Sequence, residues 1–319
     1  MTTVDLRPLD ASEAGHSGVT LAVDIGGTKI AGALVDATGR LLVSARRPTP
    51  RGTGGDEVMA AVEEVLTELS GAPEWASVRR CGIGSAGPVD ASRGEVSPVN
   101  IAAWRGFPVL ERTRAALARL GAPVPAVLVG DGVAMTAAEH WLGAARGHRN
   151  ALCMVVSTGV GGGLVLDGRL HPGPTGNAGH IGHISVELDG EPCPCGSRGC
   201  VEIIASGTSI ARHAGFADAA ATAEAARAGD PKALAAFDRA GKALAAGIAA
   251  TATLVEIDLC VIGGGVAAAG DLLFAPLRRH LETYAALSFV RHLEITPAAL
   301  GTDAGLVGAA AAAGQLLDV

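Results

Sequence analysis

The sequence is 319 residues long and 49% hydrophobic, with 25 Lys+Arg against 32 Asp+Glu, a formal net charge of -7. So much apolar chain buries two ordinary cores; the acidic balance leaves no footprint for nucleic acid or an anionic membrane, and 3% aromatic residues leave few platforms for stacking bases. The longest apolar runs, 243–255 and 304–314, fall short of the ~18 residues of a membrane span. No signal peptide is recognised, so a cytoplasmic protein with no membrane and no nucleic-acid partner is expected.

Residues 1–17 lack hydrophobic periodicity and are expected to be a disordered tail. Two later segments share one pattern, LAVDIGGTKIAGALVDATGRLL (21–42) and LCMVVSTGVGGGLVLDGRLH (152–171). Each has an apolar run of strand length, a glycine-rich polar turn, a second apolar run and an Asp/Gly turn. Between them, residues 56–70 carry Val58, Ala61, Val62, Val65, Leu66 and Leu69 at helical spacing, and residues 81–87 are again short, apolar and glycine-rich. Further on, residues 219–253 read as one alanine-rich helix, VIGGGV (261–266) as a strand entering a glycine turn, and residues 303–317 as a closing amphipathic helix. Cys81, Cys153 and Cys260 sit in apolar strands and read as small core residues. The alternation predicts an α/β protein of two similar lobes around a cleft, 18–129 and 130–319, with the last helix (about 304–318) packing back toward the first lobe.

Three glycine turns have the chemistry of a ligand site. In the first, Gly26 and Gly27 let backbone amides approach an anion, Thr28 adds a hydroxyl, Lys29 a cation, and Asp24 can hold a magnesium ion. The spacing is too short for a P-loop, and the same turn equally suits an ordinary hairpin. The second, 157–163, offers hydroxyls and pliant backbone at Thr158, Gly159, Gly161 and Gly162 without a charged side chain, which suits further phosphates of the same nucleotide. The third, with Gly264 and Gly265, can admit a flat base beside the backbone. Between the first two turns stands Asp131, whose position before residues 132–142 also suits a helix N-cap.

The run GHISVELDGEPCPCGSRGC holds His183, Cys193, Cys195 and Cys200 within 18 residues and closes at Glu202. One imidazole and three thiolates are the ligand set of a tetrahedral structural zinc. A disulfide is the alternative, but three cysteines cannot all pair and nothing points to an oxidising compartment. With all four ligands bound the zinc has no open position and cannot activate water.

DIGGTKIAGALVD, GIGSAGPVD, VVSTGVGGG, the AGHIGH to CPCGSRGCVE block and VIGGGV together resemble the ROK family (repressors, open reading frames and sugar kinases), over about residues 19–319. The resemblance implies an actin-like, hexokinase/ribonuclease H-like two-lobed fold with a central cleft and a zinc-braced loop. It implies ATP, with Mg²⁺, at Gly26, Gly27, Thr28, Lys29, Thr158, Gly159, Gly161 and Gly162, and the base near Gly264 and Gly265. It also implies a sugar held by Asn100, Asp131, His180, His183 and Glu202, with Asp131 as catalytic base and His183 offering one ring nitrogen to zinc and the other to the sugar. The expected activity is phosphoryl transfer from ATP to the 6-hydroxyl of a hexose or hexosamine, and the expected assembly is a homodimer.

Two departures bear on the sugar. Many members have Glu where this chain has His180, and the AGHIGH form is similar to bacterial N-acetylmannosamine kinases. Family kinases also commonly carry Asn before the catalytic Asp, where this chain has Gly130, and loss of that amide admits a sugar altered at the same edge, such as the 3-amino sugar kanosamine. Glucose, N-acetylmannosamine and a 3-amino glucose remain open, with a cyclitol further off. The competing readings are a sugar-sensing regulator lacking a DNA-binding domain and a non-catalytic sugar-binding protein. Family regulators carry a helix-turn-helix domain ahead of the DIGGTK segment, where this chain has a short tail.

Overall fold

The computed structural model describes residues 18–52, 54–98, 101, 103–301 and 303–317; the expected tail and Asn100 lie outside the described residues. The chain opens with a meander, β1 (Val19–Ile25), β2 (Lys29–Val35) and β3 (Leu41–Pro48), then helix α1 (Gly55–Ser70) and strand β4 (Val78–Ser85). A short hairpin, β5 (Val89–Asp90) with β6 (Glu95–Val96), precedes α2 (Val109–Arg119) and β7 (Ala126–Gly130). These strands, the hairpin apart, form a five-stranded sheet in the order β3-β2-β1-β4-β7, antiparallel through the meander and parallel from β1 through β4 to β7.

After α3 (Asp131–Trp141) the pattern repeats, with a second meander of β8 (Ala151–Val156), β9 (Val160–Leu166) and β10 (Arg169–His171). Four helices follow, α4 (Val201–Ala205), α5 (Gly207–Ala214), α6 (Ala219–Arg227) and α7 (Pro231–Val255). Then come β11 (Leu259–Gly263), α8 (Asp271–Tyr284), β12 (Glu294–Pro297) and α9 (Ala304–Leu317). The second sheet has the order β10-β9-β8-β11-β12, position for position that of the first. Central strands such as β1 and β11 are covered on both faces, and so read as unbroken apolar runs rather than as alternations.

The single helix expected over 219–253 is two. Gly229 takes φ +89°, and Asp230 accepts from the Lys232 and Ala233 amides, both at 2.9 Å, while Pro231 supplies the pre-set first turn of α7. Alanine content masked this Gly-Asp-Pro start signal. The closing helix is not amphipathic either: α9 is buried from Leu306 through Gly314, because it is sandwiched between the first sheet and α3. Leu306, Ala309 and Ala310 pack on Ala22, Ala31 and Ala33 of the first sheet, and Ala311 and Ala312 pack with Val133, Ala134 and Ala137 of α3. Small residues bring backbones together here. A Cβ on Gly82 of β4 would lie 1.8 Å from the Ala309 carbonyl oxygen, and one on Gly308 would lie 1.9 Å from that of Ala134.

Candidate active site and cysteine cluster

The chemistry-bearing turns all follow the C-terminal ends of parallel strands, where open α/β sheets gather their ligands. The first lies between β1 and β2, closed by the Gly26 amide donating to the Lys29 carbonyl at 2.9 Å. Buried Thr49 pins it, its hydroxyl donating to the Gly26 carbonyl at 2.6 Å and its amide to that of Thr28 at 3.1 Å. The GGTK turn is therefore a hairpin turn and a fixed cradle at once, with the Thr28 and Lys29 side chains facing solvent. Asp24, one residue before the end of β1, sits against the start of α9, where a Cβ on Gly305 would lie 2.7 Å from its Oδ2. Burial pushes its carboxyl above the usual range, Lys29 opposes that, and the Asp131 charge adds to it.

Asp131 begins α3, directly after β7, and Gly130 holds the N-cap position in its place. The Asp131 carboxylate is open to the cleft but crowded on every other side, so burial raises its pKa; the Gly132 amide, donating to Oδ1 at 2.7 Å, and the His180 charge pull the other way. Two carboxylates that repel one another across a cleft and both resist ionisation are a pair awaiting cationic or proton-donating company. Gly130 itself has φ -70° and ψ 157°, and a Cβ there would meet nothing within 4 Å.

In the second lobe the 157–160 turn is held from below. The Ser157 amide donates to the Gly159 carbonyl at 2.8 Å, and Glu202, in the first turn of α4, accepts the Val160 amide on Oε2 at 2.9 Å. A Cβ at 159 would lie 2.6 Å from that carboxylate oxygen, so a larger residue there would push the Glu202 side chain off the Val160 amide. One oxygen of the expected sugar ligand Glu202 is thus committed to the loop. Gly161 borders Asp131, its hypothetical Cβ 3.9 Å from Oδ1. Gly162, expected among the nucleotide-binding glycines, lies buried within β9, close to the Cys153 and Gly179 carbonyls and to Gly132 of α3. Gly264, at φ +93°, has room for no Cβ, which would lie 2.4 Å from the Val156 carbonyl oxygen, while both Gly264 and Gly265 are exposed.

Gly265 opens on a cavity of about 510 Å³ also lined by Ser157, Thr158, Gly207, Thr208 and Phe216. Its far wall, α5 and the start of α6, was not legible as ligand-binding; the only local signals there are the Ser206 and Asp218 helix caps. Glu139 was missed as well. Fully buried, it accepts from the Ala144 amide at 2.7 Å, Ala299 at 3.1 Å and Leu300 at 2.8 Å, and so ties the end of α3 to the approach of α9.

His183, Cys193, Cys195 and Cys200 bring one donor atom each within 4.8 Å of one another. The Cys193 sulfur lies 3.8 Å from His183 Nδ1, and those of Cys195 and Cys200 lie 3.8 Å apart. All three cysteines are free here, and the spacing matches a tetrahedron with metal–sulfur bonds of ~2.3 Å, whose edges are ~3.8 Å. His180 is exposed, its ring centroid 6.0 Å from that of His183 and its Nδ1 3.2 Å from the Asn177 carbonyl oxygen. No described helix is long and apolar enough to cross a membrane. As expected, Cys81, Cys153 and Cys260 are buried and free, and burial pushes the Cys81 thiol up to about 12.

The chain is 36% identical over 311 residues to a glucokinase from Thermotoga maritima, covering 91% of this chain and 95% of that one. It is 34% identical over 299 residues to an N-acetylmannosamine kinase from Yersinia pseudotuberculosis, covering 92% and 97%. A ROK family glucokinase from Streptomyces griseus, solved with glucose and AMPPNP, superimposes with a TM-score of 0.76 at 34% identity over 93% of this chain and 99% of that one. The ROK family model matches residues 20–315, and with the two repeated sheets, the paired carboxylates and the Cys₃His cluster in place, the chain belongs to the ROK family.

Proposed function

We propose that this chain is an ATP-dependent sugar kinase that moves the γ-phosphoryl of ATP to the 6-hydroxyl of a hexose or hexosamine. The observation that carries the reading is Asp131, a carboxylate at the start of α3 that borders Gly161 of the glycine-rich turn, feels the His180 charge and has a raised pKa. The sugar hydroxyl hydrogen-bonds to Asp131; as its oxygen bonds to the γ-phosphorus and the bond to the ADP oxygen breaks, the proton passes to the carboxylate. Gly26, Gly27, Thr28 and Lys29 face the phosphates from one lobe, and Thr158 and Gly159 from the other. Magnesium bound with ATP would neutralise charge on the phosphate oxygens, and Asp24 would be the residue to hold it. Closure of the lobes, divided at 18–129 and 130–319, aligns donor with acceptor and excludes water.

The reading is tested by coupled ADP release across glucose, N-acetylmannosamine, N-acetylglucosamine, mannose and kanosamine. One sugar is expected to stand ~10²-fold above the rest in kcat/KM, and silence across the panel from folded protein would sink the hexose and hexosamine reading. In the same assay Gly130→Asn, which finds open space and an unstrained backbone, is expected to leave Tm unchanged. It should shift the ratio of kcat/KM between glucose and kanosamine by ~10-fold or more, the worth of one or two sugar hydrogen bonds.

The Cys₃His geometry supports a structural zinc that fixes the start of α4, since Cys200 is its N-cap residue. Metal analysis is expected to return one zinc per chain. Cys195→Ser, at an exposed ligand, is expected to lose it and to lower Tm, whereas a variant holding zinc at full stoichiometry would remove Cys195 from the site.

A further inference from the structure

The two lobes meet where Val89, inside the GIGSAGPVD segment, faces Asn177, the residue just before the AGHIGH block. The β5–β6 hairpin belongs to the first lobe, where Val89 and Val96 are buried in the core. The segment 172–180 belongs to the second: a Cβ on Gly179 would lie 2.6 Å from the Gly163 Cα of β9, and the segment runs on into His183. Asn177 bridges them. Its Nδ2 donates to the Val89 carbonyl at 2.7 Å, and its Oδ1 accepts the Val89 amide at 3.4 Å, so one side-chain amide stands in for a neighbouring strand. The Ala91 amide adds a bond to the Thr175 carbonyl at 2.9 Å. On its other side Asn177 places its own carbonyl oxygen 3.2 Å from Nδ1 of His180, whose charge acts on Asp131.

We propose that Asn177 is a positioning residue: by pairing with the Val89 backbone as the lobes approach, it latches the closed cleft and sets the orientation of His180 at the sugar end. This rests on the sugar-kinase reading. The latch belongs to the sugar side of the cleft, because its far end is His180 beside the Cys₃His block, whereas the nucleotide cavity is lined from α5, α6 and the 264–266 turn. Both Val89 bonds are made from a side chain and can be broken and remade without unfolding either lobe, unlike the helix packing through α3 and α9.

The test uses Asn177→Asp, an isostere that sets an acceptor against the Val89 carbonyl, and Asn177→Ala; the isostere keeps the test decisive where truncation costs folding. With glucose and N-acetylmannosamine as probes, sugar KM is expected to rise ~10-fold, the worth of two neutral hydrogen bonds, with kcat within ~3-fold of wild type. Amide exchange at Val89 and Ala91 is expected to slow on adding sugar to the wild type and to lose that response in the variants, a readout that mere loss of stability would not give. An unchanged sugar KM, or wild-type exchange at Val89 and Ala91 indifferent to sugar, overturns the proposal. A wild type that turns over no sugar overturns the kinase reading and the latch with it, whereas an active wild type with unaltered variants overturns the latch alone.

Discussion

Asp131→Asn is expected to lower kcat by at least ~10²-fold while leaving sugar KM within a few-fold of wild type, and to raise the melting temperature at pH 7. The rate falls because the amide still orients the hydroxyl but cannot accept its proton. The stability gain follows from the folded-state pKa. Asp131 is raised by burial above the ordinary carboxylate range, so the stability tied to its proton is present below the unfolded value of ~3.9 and lost as pH rises through the folded one. At pH 7 the wild type therefore carries an ionised group its surroundings disfavour, and the neutral amide removes that cost. The gap in melting temperature should close on acidification through the carboxylate range, where Asp131 takes up its proton. Over the same window wild-type kcat/KM should fall, with a midpoint above that of an unperturbed aspartate. Steady-state kinetics and thermal melts of both proteins from pH 4 to 8 check all of this. Near-normal turnover in the Asn variant would remove Asp131 as the base.

The second large effect is structural. Gly308→Ala would be expected from helix propensity alone to stabilise α9 by ~1 kcal/mol. The structure predicts the opposite, because the new Cβ would lie 1.9 Å from the Ala134 carbonyl oxygen of α3, and neither partner is a side chain that can swing aside. Gly82→Ala meets the same obstacle from the other face, 1.8 Å from the Ala309 oxygen. Each is expected to cost at least ~3 kcal/mol, about 4 to 5 °C in Tm for a chain of this length, with Gly301→Ala as the control in open space. Activity should fall even in the folded fraction, since α9 carries Gly305 against Asp24 and α3 begins at Asp131. Melts of the three variants suffice, and a Gly308→Ala protein as stable as wild type would mean that α9 does not sit this close.

Much of this was legible because the informative signals are local. The strand, glycine turn, strand pattern of 21–42 and 152–171 needs only neighbouring residues, and so does the spacing of Cys193, Cys195 and Cys200. What escaped depends on distant partners or on space. Asn177 reaches 88 positions back to Val89, and Glu139 reaches 160 forward to Ala299. Gly82 and Gly308 look like any glycine in a strand or helix until the opposing backbone is seen, and Gly162 counted as a loop glycine until Gly132 was found against it. The break at Gly229-Asp230-Pro231 was written locally, but the alanine run around it carried more weight than its cap.

The two sheets of identical strand order carry a consequence for how such a site arises. A homodimer of half-length chains about an axis would present the same turn twice, and any charge placed on one copy would appear on the other. Here the corresponding turns have diverged, Gly26–Lys29 with its cation and Ser157–Gly159 without one. Joined in a single chain, the halves keep the same strand order but mutate independently, so one turn can specialise for charge and the other for shape.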